Sequence, residues 1–170
     1  MNEIEVKILN IDLKKIKKKL KEFGAKKIKN VLQIDRIYQN KTNKGILVRI
    51  RQEGKRFYLT IKGKKIKSKL YKIRPEYEIE IPSLKFGEDM LKTLGFDYFN
   101  IGEKKRLYYK YRNCSVEIIK IPNFPEFLEI EGSGKNIDYI AQQLGFKKKD
   151  FYTLSIENLV DFTNKKFTKF

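Results

Sequence analysis

Histidine and tryptophan are absent from this 170-residue sequence, and cysteine occurs once, at Cys114. Without histidine, the chain can build neither a histidine-based catalytic triad nor a cysteine–histidine pair, and with one thiol it cannot form a zinc site of the usual ligands or an internal disulfide. Any metal site must therefore use oxygen ligands, and such ligands favour Mg²⁺ or Mn²⁺.

Long apolar runs are missing as well. We find no secretory leader and no apolar segment of membrane-spanning length, so we expect a cytoplasmic protein without a membrane partner. The length, the 41% content of hydrophobic residues and the lack of a Gly/Ser/Pro-rich linker predict one domain over residues 1–170, with a sizeable core.

The 39 lysine and arginine residues outnumber the 21 acidic residues, which gives a formal net charge of +18. This charge favours a polyanionic partner: nucleic acid, an acidic membrane or a phosphorylated small molecule. Composition leaves the three open. Because 32 of the basic residues are lysine and only seven are arginine, the positions of the arginines are informative.

The first predicted strand, residues 2–10, alternates two kinds of side chain. Ile4, Val6 and Ile8 share one face, so Glu3, Glu5 and Lys7 project from the other. Carboxylates about 7 Å apart along a strand repel one another unless solvent or a cation lies between them. The pattern therefore indicates either a solvated face or a bound metal.

The same alternation recurs along the chain and predicts about eight strands, mostly in hairpins. The further strands are expected at residues 31–39, 46–51, 57–62, 71–81, 104–111, 115–121 and 127–131. Pro75 lies inside the longest alternation and predicts a sheet edge or a bulge there.

Four helices are predicted from apolar spacings of three and four residues. They cover residues 13–24 after a cap at Asp12, residues 83–95, residues 136–145 and residues 155–162. In the second helix we expect an inward face made of Phe86, Met90, Leu91 and Leu94. The lysines of the first helix are interpreted as a solvated surface, with a basic membrane- or RNA-binding helix as the alternative.

A closed sheet explains strands that are apolar on one face and charged on the other. If the sheet curls into a barrel, the charged faces meet in a tunnel and the helices cover the apolar faces outside. The tunnel would hold Lys7, Arg49, Arg51, Lys62, Arg74, Lys104 and Arg106 opposite Glu3, Glu5, Glu76, Glu78, Glu80, Glu117, Glu129 and Glu131. Four of the seven arginines fall on these positions, which favours bidentate contacts to phosphate.

The sequence resembles the CYTH superfamily, which includes class IV adenylyl cyclases, thiamine triphosphatases and inorganic or RNA triphosphatases of the triphosphate tunnel type. The resemblance covers nearly the whole chain. Its motifs occur in order as Glu3-Ile4-Glu5-Val6-Lys7, Asp35-x-x-Tyr38, Leu47-Val48-Arg49-Ile50-Arg51, Thr60-Ile61-Lys62-Gly63, Arg74-Pro75-Glu76-Tyr77-Glu78, Lys104-Lys105-Arg106 and Phe127-Leu128-Glu129-Ile130-Glu131.

The resemblance implies an α+β fold, an eight-stranded antiparallel β-barrel with helices packed on the outside. It implies Mg²⁺ or Mn²⁺ ligands at Glu3, Glu5, Glu129 and Glu131. It implies that Lys7, Arg49, Arg51, Lys62 and Arg106 hold phosphate, with Arg74, Glu76 and Glu78 as candidates for positioning. From their places in the predicted tunnel we add Arg74 and Lys104 to the phosphate-binding residues, and we take Glu78, Glu117 and Lys62 as the catalytic candidates.

One position departs from the family pattern. The family usually places an aspartate eight residues before the phenylalanine of the second glutamate pair, and here that position is Ile119. Glu117, two residues earlier on the same strand face, is a candidate substitute.

These observations favour a metal-dependent enzyme acting on ATP, thiamine triphosphate or tripolyphosphate, by hydrolysis or by cyclisation of ATP to cyclic AMP. The alternative is a non-catalytic binder of triphosphate, polyphosphate or RNA. A third interpretation is a basic nucleic-acid binder whose charged strand faces are solvated. A homodimer is compatible with each interpretation.

Overall fold

Eight strands pair as a closed antiparallel barrel in the computed structural model, which describes residues 2–42 and 45–155. The strands are β1 Asn2–Ile8, β2 Lys26–Gln39, β3 Leu47–Glu53, β4 Arg56–Lys62, β5 Lys72–Ile81, β6 Asp97–Tyr111, β7 Cys114–Lys120 and β8 Phe127–Glu131. Their order around the barrel is β1-β5-β4-β3-β2-β6-β7-β8. The predicted α+β fold with an eight-stranded barrel is confirmed.

In the described part of the chain three α-helices pack outside the barrel: α1 Leu13–Glu22, α2 Leu84–Thr93 and α3 Gly134–Leu144, followed by a 3-10 turn at Lys148–Asp150. Each α-helix begins after an oxygen-bearing cap, since the side chains of Asp12, Ser83 and Ser133 accept hydrogen bonds from backbone N–H groups of the first turn. The predicted helix at 155–162 lies outside the described residues except for Ser155, which is not helical. No helix among the described residues could cross a membrane.

The hydrophobic cores lie between the barrel and its helices. The larger core joins β1, β7 and β8 to α1 and α3, and the smaller one joins β2 to β5 with α2. Val6, Ile8, Val116 and Ile130 are fully buried in the larger core, and their strand neighbours point the other way, into the barrel. The apolar faces therefore look outward and the charged faces inward, as the alternation predicts.

The inward face of α2 differs from the prediction. Phe86 and Leu94 are 47% and 63% exposed, so their assignment to the inward face was wrong. The residues that face the barrel are Gly87 and Leu91, one helical turn apart, with Met90 half-buried beside them. Gly87 allows a close approach, because a Cβ there would lie 2.6 Å from Ile81 Cδ1.

At Pro75 the predicted bulge is absent, but the described pairing with β1 ends at this residue, as at a local edge of the sheet. In the described sheet β5 pairs with β1 up to Pro75 and with β4 from Glu76 onward, without a register shift. Proline has no N–H to donate, and it therefore lies at the residue where the partner of β5 changes from β1 to β4.

Gly132 ends β8 directly after Glu131, and we predict that Gly132→Ala lowers the free energy of unfolding by about 1–3 kcal/mol. Its N–H donates to Ile4 O at 3.0 Å, and an added Cβ would lie 2.2 Å from Cys114 Sγ. Urea unfolding would measure the loss. Gly102→Ala is the control, because nothing lies within 4 Å of a Cβ at that position.

If Gly132→Ala is as stable as the wild type, the contact with Cys114 is not the constraint. A Cys114→Ala change should restore part of the stability lost in Gly132→Ala, since it removes the sulfur that the new Cβ meets.

Candidate active site

The inside of the barrel holds a cavity of about 420 Å³ whose charged side chains balance. Eight cations line it: Lys7, Arg49, Arg51, Lys62, Lys72, Arg74, Lys104 and Arg106. Eight carboxylates line it as well: Glu3, Glu5, Asp35, Glu76, Glu78, Glu117, Glu129 and Glu131. The net charge of +18 therefore comes from residues outside the cavity.

On one side of the cavity Asp35 lies among three cations. Asp35 accepts from Arg51 Nε at 2.8 Å and from Lys104 Nζ at 2.6 Å, and Arg49 Nη1 lies 3.6 Å away. Burial alone would raise the pKa of Asp35, but these three charges lower it far below its usual range. Arg49 also contacts Glu76 and Glu78, but among the described residues Arg51 and Lys104 have no carboxylate other than Asp35 within 4 Å. Positive charge is therefore in local excess around Asp35, which favours an anion there.

The excess of charge acts most strongly on Lys104. Burial, which Asp35 only partly offsets, lowers the pKa of this ammonium to about 7, with help from the repulsion of Arg106, Arg51 and Arg49. Lys104 is therefore close to losing its proton at neutral pH. An arriving phosphate would favour the charged form.

Arg49 is fixed in direction by the next two strands. Its Nη2 donates to Thr60 Oγ1 at 3.0 Å and to Glu78 Oε2 at 3.3 Å, and the Thr60 hydroxyl donates to the same glutamate oxygen at 2.7 Å. The guanidinium is buried in the barrel wall and held at a defined position before any ligand arrives.

Lys62 and Arg74 both line the cavity, but their hydrogen-bond partners differ. The Lys62 ammonium donates to both oxygens of Glu3, at 2.8 and 3.0 Å, and to Glu76. Arg74 donates to the backbone oxygens of Gly63 at 2.8 Å and Lys62 at 3.0 Å. Arg74 thus fixes the chain that leaves β4, besides lining the cavity.

The other side of the cavity is rich in glutamate. Lys7 lies between Glu5 and Glu129, at 2.9 Å from Glu129 Oε2. Burial opposes the charge of Lys7, yet the two carboxylates raise its pKa. Arg106 lies between Glu117 at 2.7 Å and Glu129 at 3.1 Å.

Glu131 takes part in none of the ion pairs described for this side of the cavity. Among residues 2–42 and 45–155 no cation lies within 4 Å of its oxygens. Its pKa is raised to about 8, first by burial and then by the charges of Glu3, Glu117, Glu129 and Glu5. The surrounding carboxylates favour the protonated form of Glu131. An additional cation nearby would favour its ionised form.

Comparison with known proteins identifies the family. Residues 1–152 match the CYTH domain. The chain belongs to the CYTH family. This CYTH protein is 34% identical to a Methanocaldococcus jannaschii protein, MJ0240, that is named provisionally as an adenylate cyclase; the match covers 81% of each chain.

Solved structures share the fold over nearly the whole chain. PH1012 from Pyrococcus horikoshii is 28% identical with a TM-score of 0.76, over 90% of this chain and 96% of that protein. HpAC1 from Hippeastrum, which is described as having a dominant triphosphatase activity, is 13% identical with a TM-score of 0.64, over 96% of both chains. At that identity, the second likeness concerns the fold alone.

The CYTH barrel offers the donor type that Mg²⁺ or Mn²⁺ requires. Its glutamates supply oxygen ligands, and the raised pKa of Glu131 marks the place where one more positive charge would be stabilised. Within the described residues no three of these side chains have already converged on one point. Glu5 and Glu129 are held by ion pairs with Lys7, so cation binding would require these pairs to rearrange.

Every site residue predicted from the sequence lines this cavity, but Glu80 of the predicted tunnel does not. Its side chain is 55% exposed and lies 3.9 Å from Arg56, near the far end of β5, beyond the part that pairs with β1. Sequence reasoning did not assign Asp35, Lys72 and Thr60 to the site. Extending the two-residue alternation by one step along β2, β4 and β5 would have found all three.

Ile119 does lie on the inner face, as its spacing from Glu117 predicts. It is fully buried opposite Phe127 and belongs to neither outer core. The Phe127 ring packs edge-on against Phe124 with centroids 5.9 Å apart. An apolar cluster therefore fills this part of the barrel, at the position where the resemblance predicts an aspartate.

We predict that Lys104→Met is more stable than the wild type at pH 7, and that this advantage shrinks as the pH rises toward 10. The folded pKa is about 7 against an ordinary 10.5, so the cost of burying the charge is complete below pH 7. Above pH 7 the folded chain holds a neutral amine while the unfolded chain is still protonated, so the cost falls steadily and is gone only near pH 10.5. Urea unfolding at pH 6, 8 and 10 would measure the difference.

Lys105→Met is the matched control, because Lys105 is the exposed neighbour on the outer face of the same strand. The stability difference between Lys105→Met and the wild type should stay flat over this pH range. A Lys104→Met difference that also stays flat would contradict the proposed burial of charge.

Proposed function

We propose that this CYTH protein is a metal-dependent enzyme that hydrolyses a triphosphate inside the barrel. The observation that carries the proposal is the division of the cavity. Cations in excess surround Asp35 on one side, and glutamates in excess surround Glu131 on the other. A triphosphate together with a divalent cation supplies the missing charge to both sides.

The phosphate chain is proposed to occupy the cationic side. Arg49 and Arg51 present planar donors from one face of β3, and Lys104 approaches from β6. Phosphate oxygens would replace Asp35 as the principal partner of Lys104 and would hold its proton on Nζ near neutral pH. Lys7, Lys62, Arg74 and Arg106 are proposed to complete the phosphate contacts around the barrel.

The glutamates are proposed to hold Mg²⁺ or Mn²⁺ through Glu3, Glu5, Glu129 and Glu131. A cation at this place would neutralise phosphate charge and lower the pKa of a bound water. Glu131 would lose its proton, and Lys7 would turn from Glu5 and Glu129 toward the phosphate, which frees these two carboxylates for the cation. Glu117 positions Arg106 against the phosphate, and Glu78 positions Arg49.

Two observations support alternative functions for this protein. The name of the Methanocaldococcus jannaschii relative supports cyclisation of ATP as the second candidate reaction. The apolar cluster at Ile119 supports a non-catalytic binder of triphosphate, polyphosphate or RNA, because the carboxylate usual at this position is absent. A single domain over 1–170, a homodimer and a cytoplasmic location stay predictions.

We predict that Glu131→Gln lowers kcat/KM for triphosphate hydrolysis roughly 100-fold or more, because a neutral amide cannot supply the charge that binds the cation. Gln preserves the shape, and Glu131 has no cationic partner in the described chain that the change would leave unpaired. The assay is phosphate release from tripolyphosphate, thiamine triphosphate and ATP with Mg²⁺ or Mn²⁺, with cyclic AMP measured in parallel.

Glu80→Gln serves as the control, since it makes the same chemical change outside the cavity and should leave the rate unchanged. Equal rates in Glu131→Gln and the wild type would refute the role of Glu131. If the wild type turns over none of the three compounds, the enzyme proposal fails, and calorimetric binding of tripolyphosphate would then identify the non-catalytic binder.

A further inference from the structure

One face of α1 carries a row of exposed lysines, which we call the lysine stripe. It consists of Lys14, Lys17, Lys18 and Lys21. Their spacing of three and four residues places them on one side of the helix, opposite Ile16 and Leu20. Because these two residues are only 2% and 0% exposed and belong to the core beneath the helix, the stripe faces solvent.

The stripe has almost no acidic neighbours. Among the described residues, only Lys18 of the four has a carboxylate within 4 Å, that of Glu22 at 3.8 Å, and both side chains are exposed. Like charges three or four residues apart on a helix repel one another. The first turn contains no acidic residue, although negative charge is favoured at that end of a helix. The helix therefore carries positive charge that a bound polyanion would stabilise.

The other helices show that a lysine-rich composition does not explain the stripe. α1 has six lysines and one glutamate, whereas α2, of the same length, has two lysines together with Glu88 and Asp89. On α2, Lys85 pairs with Asp89 at 2.7 Å. α3 has one residue of each sign, Lys135 and Asp138. A chain that was only rich in lysine would carry the excess on all three helices, and here it is concentrated on α1.

The surroundings of α1 extend the basic surface and hold the helix in place. The pKa of Glu126 is lowered, first by its hydrogen bond from Lys120 and in part by the charge of Lys17, so these three groups lie close together. On another side Lys19 donates to the backbone oxygen of Gln143 on α3 at 3.2 Å. The stripe is therefore displayed on a helix that is fixed to the protein, outside the barrel cavity.

We propose that the lysine stripe docks the phosphate backbone of a nucleic-acid duplex. A helix that lies on a membrane inserts an apolar face, and the apolar face of α1 is already covered by the protein. Surfaces that bind single strands offer aromatic rings on which bases stack, and α1 contains no aromatic residue. Lysines that contact phosphates bind a duplex without reading its sequence. This surface is separate from the cavity, so the proposal does not depend on the proposed function.

The test compares two variants that lose the same amount of charge. The stripe variant combines Lys14→Gln, Lys17→Gln, Lys18→Gln and Lys21→Gln. The control variant changes four exposed lysines between β4 and β5, as Lys64→Gln, Lys65→Gln, Lys67→Gln and Lys69→Gln. Fluorescence anisotropy gives the Kd of DNA and RNA duplexes with hydroxyl ends, so that no terminal phosphate can enter the cavity.

The stripe variant should bind both duplexes about tenfold more weakly than the wild type at low salt. Its log Kd should also depend less on log salt, by about one unit of slope for each lysine that contacts a phosphate. The control variant should keep its Kd within about threefold of the wild type, because its lysines lie away from the stripe. Urea unfolding should show that the stripe variant is at least as stable as the wild type, since repulsion along α1 is removed.

Equal losses of duplex binding in the two variants would overturn the proposal, because net charge alone would then explain the binding. Unchanged binding in the stripe variant would overturn it as well. Vesicles containing phosphatidylserine, polyglutamate and a single strand of the same length are measured in parallel. If the stripe variant loses more affinity for any of these three than for the duplexes, the duplex is not the partner.

Discussion

Opposite charges enclosed in one small cavity are the constraint on which this structure depends. Among the described residues, eight carboxylates and eight lysine or arginine side chains share about 420 Å³, which is tolerable only because each finds a partner or changes its protonation. Most are paired across strands. Glu131 holds its proton, and Lys104 is close to losing its own. A bound anion would favour the charged form of Lys104, and a bound cation would favour the charged form of Glu131.

The outer architecture follows from this interior. Because the inner face of each strand is charged, the hydrophobic cores form on the outside, beneath α1 and α3 and beneath α2. The helices pack on fully buried aliphatic residues of the outer strand faces and so support the barrel wall from outside. Gly87 and Gly132 occur where the chain approaches a neighbouring element too closely for a side chain. The outer packing thereby holds the charged residues at fixed positions.

Apolar residues lie inside the barrel beside the charged ones. Ile119 and Phe127 fill one part of the interior, while Ile37 and Leu47 remain partly exposed in the cavity within the described structure. The excess of lysine belongs to the exterior and is independent of the site, because the cavity itself is balanced.

The sequence by itself determined the strands, the inside-out arrangement and nearly all the cavity residues, since a two-residue alternation fixes which side chains share a face. Closure followed because only a barrel lets those charged faces meet. Only the tertiary structure decided which residues are partners. Asp35 joins three cations from β3 and β6, Glu131 has none among the described residues, and Glu80 lies outside, because strand register and stagger depend on contacts between distant segments. For the same reason the exposed Phe86 and Leu94 could not be foreseen from helical spacing.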